Sequence, residues 1–144
     1  MTIIERIRQI KANIIKNREA ELMRIAFDQI ALIKLRIQTS GLNSNESPFA
    51  PYTPDYAKTR QKKGYQIGYV DFTVTGQFMA GIKPIVVESS AFRTIIEFRP
   101  TGDRGENIVK GARKKRGNIL EPSQSELKIA RDANRQRILN LFNF

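Results

Sequence analysis

Ile85-Val-Val87 and Thr94-Ile-Ile-Glu-Phe98 are the stretches that decide the fold class of this 144-residue chain. Both are rich in β-branched residues, and Ser89-Ser-Ala91 between them supplies a turn. Thr94, Ile96 and Phe98 alternate with Arg93, Ile95, Glu97 and Arg99, so one face is oily and the other carries charge at its ends. That pattern predicts an antiparallel hairpin with one core-facing side. The segments before and after it read as helices and loops. The fold class expected is therefore α+β: a long N-terminal helix, a small antiparallel sheet and a C-terminal helix.

Working back from the hairpin, Thr2 to about Thr39 reads as helix. Thr2 and Glu5 have capping-box spacing, in which each side chain satisfies a free backbone N–H at the helix start. Ile3, Ile7, Ile10 and Ile14 fall on one stripe, which resumes as Met23, Ala26, Ile30, Ile33 and Ile37. Asn17-Arg-Glu19 and Glu21 interrupt the phase, so the segment is one long helix or two collinear pieces meeting near Asn17. Gly41 is its natural stop. Ile25, Phe27, Leu32 and Leu35 lie off the stripe and widen the apolar surface beyond one face. Part of that surface is expected to pack inside the chain and part against other subunits.

Forward from the hairpin, Pro100 to Gly105 reads as a turn region. Lys110, Arg113, Lys114, Lys115 and Arg116 surround two glycines, with no acid between Glu106 and Glu121, and predict an exposed, mobile loop. The last helix is expected to start at Ser123 or Ser125; Ser123 and Glu126 have capping-box spacing, Pro122 bars backward extension, and Leu127, Ala130, Ile138 and Leu141 lie on one face. Gly41 to Pro54 reads as a loop whose aromatics pin it to the body, and Thr75 as the N-cap of a short helix, Gly76 to Ile82. The organisation expected is a single domain: helix over 1–40, loop, short helix and sheet over 41–122, helix over 123–144.

Twenty-five Lys and Arg stand against 14 Asp and Glu, a formal charge of +11. Such an excess suits a polyanion or acidic protein partner, and equally a solvated basic face. Tyr52, Tyr56, Tyr65 and Tyr69, beside Lys58, Arg60, Lys62 and Lys63, could stack on bases. Packing is the stronger reading for them, because no RNA-binding sheet motif accompanies them. The absence of His and Cys excludes Cys/His zinc sites, Ser-His-Asp triads and Cys-His dyads. No phosphate-binding loop occurs, and the central carboxylates lack metal-ligand spacing. No apolar run is long enough to span a bilayer. A structural role is expected, without catalytic residues, metal, cofactor or membrane, although spacing alone leaves open a two-carboxylate glycosidase or a metal nuclease assembled in three dimensions.

Larger motifs join these pieces. They are Pro48-Phe-Ala-Pro-Tyr52-Thr-Pro-Asp-Tyr56-Ala-Lys58, then Lys62-Lys-Gly64, then Val70-Asp71-Phe-Thr-Val-Thr75-Gly76. After the hairpin come Asn107-Ile-Val-Lys110-Gly111, Arg116-Gly-Asn-Ile-Leu120-Glu-Pro122 and Ser123-Gln-Ser-Glu126. In order and spacing the chain resembles the virion-morphogenesis proteins of tailed bacteriophages, the tail-completion and neck-ring proteins. Tyr52, Tyr56, Asp71, Thr75 and Gly76 occupy that family's motif positions. The resemblance implies an α+β subunit of the head–tail connector, in tail completion or as tail terminator. It would form a homo-oligomeric ring joining the capsid portal or adaptor to the tail. Implied partners are copies of itself, the adjacent portal, adaptor and tail proteins, and genomic DNA passing through the channel. The implied location is the virion neck, with assembly in the host cytoplasm.

Two sets of residues are then expected to meet partners: the basic Lys110, Arg113, Lys114, Lys115 and Arg116, and the apolar Ile25, Phe27, Leu32 and Leu35. The basic set is expected to face an acidic neighbour or the outside of the ring. A belt of mobile cations lining the channel would hold DNA through counterion release. The alternative function is a small basic nucleic-acid-binding protein. It explains the charge and uses the long helix for dimerisation, but leaves the Tyr52 to Gly76 pattern without a role.

Overall fold

In the computed structural model, which describes residues 1–73, 76–90 and 93–142, the first helix (α1) spans Ile3–Lys16. Its start is the capping box read from the sequence: the Glu5 N–H donates to Thr2 Oγ1 at 3.2 Å and the Thr2 N–H to Glu5 Oε2 at 2.6 Å. At Asn17 the backbone leaves helical geometry (φ −99°, ψ 8°), and a second helix, α2, runs over Arg18–Ser40. Two helices meeting at Asn17 is thus the correct one of the two readings. The Asn17 N–H still donates to the Asn13 carbonyl, and its own carbonyl still accepts from Glu21, both at 3.0 Å. α2 stops at Gly41, left-handed at φ 62°, where a Cβ would lie 2.7 Å from the Tyr69 Cβ. Only glycine meets both demands.

The hairpin consists of β1 (Lys83–Ser89) and β2 (Thr94–Arg99), antiparallel from Lys83 opposite Arg99 to Ser89 opposite Thr94. Val87 has no partner in this register, so the ladder bulges there. Pro84 is buried and Phe98 packs on the core, whereas Ile85 and Val87 face out. The sheet lies along α2. Its turn end is tied there by Ser89 Oγ, which donates to Glu19 Oε2 at 3.1 Å, and by the Arg18 guanidinium on the Ser90 carbonyl.

Four further helices complete the α+β fold: α3 (Pro54–Lys62), α4 (Gln77–Ala80), α5 (Gly102–Arg116) and α6 (Gln124–Phe142). The core gathers Ile30, Ile33 and Ile37 of α2 with Phe49, Val70, Met79, Ile82, Ala112, Ile119 and Leu120. The stripe expected on α2 is therefore buried from Ala26 to Ile37, with Met23 half-buried. Each aliphatic side chain so removed from water contributes about 1.5–3 kcal/mol.

α6 is anchored by a buried polar network. Its capping box has the Ser123 N–H donating to Glu126 Oε2 at 2.7 Å and the Glu126 N–H to Ser123 Oγ at 3.3 Å. Glu126 Oε1 also lies 3.2 Å from Arg36 Nε of α2, and Arg36 Nη2 donates to the Ile119 and Glu121 carbonyls, each at 3.2 Å. Burial lowers the Arg36 pKa, and the nearby charges of Glu126 and Glu46 partly offset that.

The 41–122 region departs from expectation by holding two additional helices. Lys110 to Gly117 is not a loop: α5 runs through it to Arg116. Lys and Arg are good helix formers, and cations in the last turn complement the helix dipole. Its interior glycines cost about 1 kcal/mol each, offset in part by burial of Ala112. Gly105 is moreover required, since a Cβ there would sit 2.7 Å from the Pro100 Cβ. α3 arises just after the expected loop. It has Pro54 in its first turn, Asp55 behind it, and Arg60 and Lys62 in the last turn, all features that favour helix.

The short helix is also smaller than expected, Gln77–Ala80 rather than Gly76 to Ile82. Gly76 takes the N-cap position, with φ 74°, and its carbonyl accepts from the Ala80 N–H. The cap assigned to Thr75 lies outside the described residues.

Candidate functional site

The motif residues Tyr52, Tyr56 and Asp71 converge on Arg60 of α3. Arg60 Nη2 donates to Asp71 Oδ1 at 3.1 Å, with both side chains more than nine-tenths buried. Asp71 also accepts from Tyr52 Oη at 3.0 Å, from Gln66 Nε2 at 2.7 Å and from the Thr73 N–H at 2.9 Å. The Tyr52 oxygen in turn accepts the Asp71 N–H at 3.2 Å. Arg60 Nε donates to the Gln66 carbonyl at 3.1 Å, while its guanidinium lies 4.5 Å from the Tyr52 ring centre and 5.4 Å from that of Tyr65. Tyr56 meets Tyr52 edge to face at 5.4 Å.

Burial pushes the Asp71 carboxyl up. Hydrogen bonds from Gln66, Thr73 and Tyr52 and the charge of Arg60 outweigh that, and hold it below the ordinary carboxylate value. Burial raises the Tyr52 phenol. A carboxylate this fully occupied offers no lone pair to a substrate or metal. The cluster acts as a latch that fixes α3 against the Val70–Thr73 segment.

Phe72, next in sequence, adopts φ 54°, a left-handed conformation that costs a bulky residue about 1–2 kcal/mol. Two features hold it there. The Asp71 carboxylate captures the Thr73 N–H, and the Phe72 ring packs at 5.4 Å from Phe49 and 5.9 Å from Phe78. The latch and this strained turn form one wall of a cleft of about 500 Å³, with Thr101, Arg104, Ile108 and Arg116 opposite. Sequence reading marks Tyr52, Tyr56 and Asp71 but misses Arg60 as their hub. Nothing in the local pattern sets Arg60 apart from Lys58, Lys62 and Lys63 around it. Only the fold brings it onto Asp71, 11 positions further along the chain.

The basic residues separate into two groups. Lys110, Arg113, Lys114 and Lys115 are exposed on α5, whereas Arg116 is half-buried in the cleft, its guanidinium 6.0 Å from the Phe72 ring centre. The apolar set also divides. Phe27 and Leu35 are 56% and 58% exposed, whereas Ile25 and Leu32 are half-buried. Ile25 lines a second, larger groove of about 700 Å³ between α1, α2 and the end of α6, together with Ile10, Ile14, Leu22, Ile138 and Leu141. Among the described residues no cluster of acidic side chains is placed to hold a metal, and no helix is long and apolar enough to cross a membrane.

No family model, curated protein or solved structure matches the chain.

Proposed function

We propose that the chain is a structural subunit of the head–tail connector of a tailed bacteriophage, serving tail completion or tail termination as one member of a ring. The observation that carries this reading is the apolar surface left in water. α1 buries none of its isoleucines, and Phe27 and Leu35 extend the exposed surface along α2. Several large aliphatic side chains in one region favour association over an isolated subunit. The shared cluster of the motif residues Tyr52, Tyr56 and Asp71 supports the same reading, because it gives their spacing a structural purpose. The mechanism is geometric: exposed helix faces of one subunit dock on the next and on the adjoining ring.

The test is the mass of the purified protein in solution. Light scattering is expected to give a closed multiple of the 16.5 kDa chain. Replacing Leu32 and Leu35 with Gln is expected to weaken that assembly more than it lowers the melting temperature. A compact monomer at high concentration would overturn the proposal. One observation favours the alternative, a nucleic-acid-binding protein: Lys110, Arg113, Lys114 and Lys115 form an exposed basic strip. DNA binding with a steep salt dependence by a monomer or dimer would support it.

A further inference from the structure

The cleft between α3, the Phe72 turn and α5 carries an unbalanced charge. Its described lining holds Arg60, Arg104 and Arg116 and no Asp or Glu. Asp71 neutralises Arg60 from behind the wall. Among the described residues, neither Arg104 nor Arg116 is paired with a carboxylate. Arg116 Nε is in addition sealed from solvent without an acceptor. The rest of the lining includes the apolar Phe72, Phe78 and Ile108 beside Thr53, Gln77 and Thr101.

Spacing defines what would fit. Positions 104 and 116 lie at opposite ends of α5, about 18 Å apart along the axis at 1.5 Å per residue. An extended chain rises about 3.3 Å per residue and presents alternate side chains to one face. The first and last side chains of a five-residue extended segment lie about 13 Å apart, so such a segment would span the gap if each arginine leaned inward by about 2–3 Å. Its first and last side chains would meet the guanidiniums and its middle one the aromatic wall.

We propose that this cleft docks an extended acidic segment of a partner protein, with the pattern acid–x–large apolar–x–acid. A guanidinium matches a carboxylate through two parallel N–H···O bonds, which favours arginine over lysine for such a site. A nucleic acid is the weaker fit. Its backbone affinity grows with the number of cations engaged, and the exposed Lys110, Lys114 and Lys115 do not line the cleft. The inference stands apart from the ring assignment, since the site is complete within a single chain.

The test uses the full chain and a fluorescent peptide, Glu-Thr-Phe-Thr-Glu with blocked ends, followed by anisotropy. Saturable binding is expected, and the Gln-Thr-Phe-Thr-Gln peptide should bind about tenfold more weakly or worse, having lost its charged acceptors. Arg104→Gln is expected to weaken the Glu peptide by a similar factor. Arg104 is exposed, so this variant leaves the fold intact, which an unchanged melting temperature would verify. The double variant Lys114→Gln and Lys115→Gln is expected to bind the peptide as the parent does. Equal binding of the two peptides, undiminished binding by Arg104→Gln, or no binding by the parent would each overturn the proposal. So would a short oligothymidylate that binds in place of the peptide and is lost with Arg104→Gln, an outcome that would reassign the cleft to nucleic acid.

Discussion

α1 and the middle of α2 are built from the same residue and end up in opposite environments. On α2, Ile30, Ile33 and Ile37 are buried, the last two almost completely. On α1, Ile3, Ile4 and Ile7 remain 70%, 63% and 45% exposed, and no residue of the helix is buried. Periodicity reveals that a helix has an apolar face but carries no information about what covers it. For α2 the cover is the hairpin, Phe49 and the Ile119–Leu120 segment; for α1, this chain supplies only part of the groove beside α6. A free helix of 14 residues is marginal in water, and most helical stability comes from packing. The body should therefore respond to mutation as a cooperative unit and α1 should not.

The largest effect is expected where the body buries charge. Asp71→Ala removes the partner of Arg60 and leaves a guanidinium buried, at a cost of about 3–5 kcal/mol by chemical denaturation. The same pair predicts an acid limit. The folded pKa of Asp71 lies below its unfolded value, so its contribution is fully present above the ordinary carboxylate pKa, about 3.9. It is lost as pH falls through the depressed folded value. The melting temperature of the parent should thus drop below about pH 4. Asp71→Asn should be less stable at neutral pH and show a shallower acid decline. An unchanged decline would show that other carboxylates set the limit.

Two glycines give an intermediate test within the body. Gly41 and Gly76 are both left-handed, at φ 62° and 74°, but a Cβ at Gly41 would meet Tyr69 at 2.7 Å while at Gly76 it would meet none of the described residues within 4 Å. Gly76→Ala should cost about 1–2 kcal/mol, from backbone strain alone. Val at Gly76 adds a β-branched side chain to the same strain and should cost more than Ala. Gly41→Ala should exceed Gly76→Ala, because the clash adds to the strain. Equal losses for the two alanines would mean that Tyr69 moves aside freely, and that the end of α2 is less tightly held than its burial suggests.

Local signals are the legible part of the fold. Both capping boxes, the Gly41 stop, the buried stripe of α2 and the hairpin follow from spacings of a few residues, and each is present. α5 reads wrongly because glycines and an acid-free basic run resemble a loop. What makes it helical is tertiary: Ala112 in the core and Gly105 tight against Pro100. The site is legible only in fragments. Tyr52, Tyr56 and Asp71 stand out as a motif, but the Arg60 hub, the left-handed Phe72 and the pairing of Arg104 with Arg116 across one cleft depend on contacts that no short spacing encodes. The buried ion pair of Arg36 with Glu126 is hidden for the same reason, 90 positions separating the partners although the capping box flags Glu126 itself.

The smallest effect, and the sharpest division between the two parts, comes from the two capping boxes. They share one design: Thr2 with Glu5 on α1, Ser123 with Glu126 on α6. An N-cap hydroxyl is worth about 1 kcal/mol wherever loss of the cap means loss of the fold. Ser123 is buried and its box shares Glu126 with Arg36, so Ser123→Ala should lower global stability by about that amount or somewhat more. Thr2→Ala removes the same bond from an exposed helix end whose unfolding leaves the body packed. Its global effect should therefore fall within about 0.5 kcal/mol, the range of ordinary surface changes. Hydrogen exchange should still register it, with the α1 amides exchanging faster and those of α2 unchanged, because local opening draws only on local stability. Assembly supplies the decisive arm. If neighbouring subunits cover Ile3, Ile4 and Ile7, α1 amides should gain protection in the assembled state and Thr2→Ala should then begin to cost stability there. Global unfolding equally sensitive to both substitutions in the isolated chain would instead make α1 part of the body, and its exposed isoleucines would no longer argue for a partner.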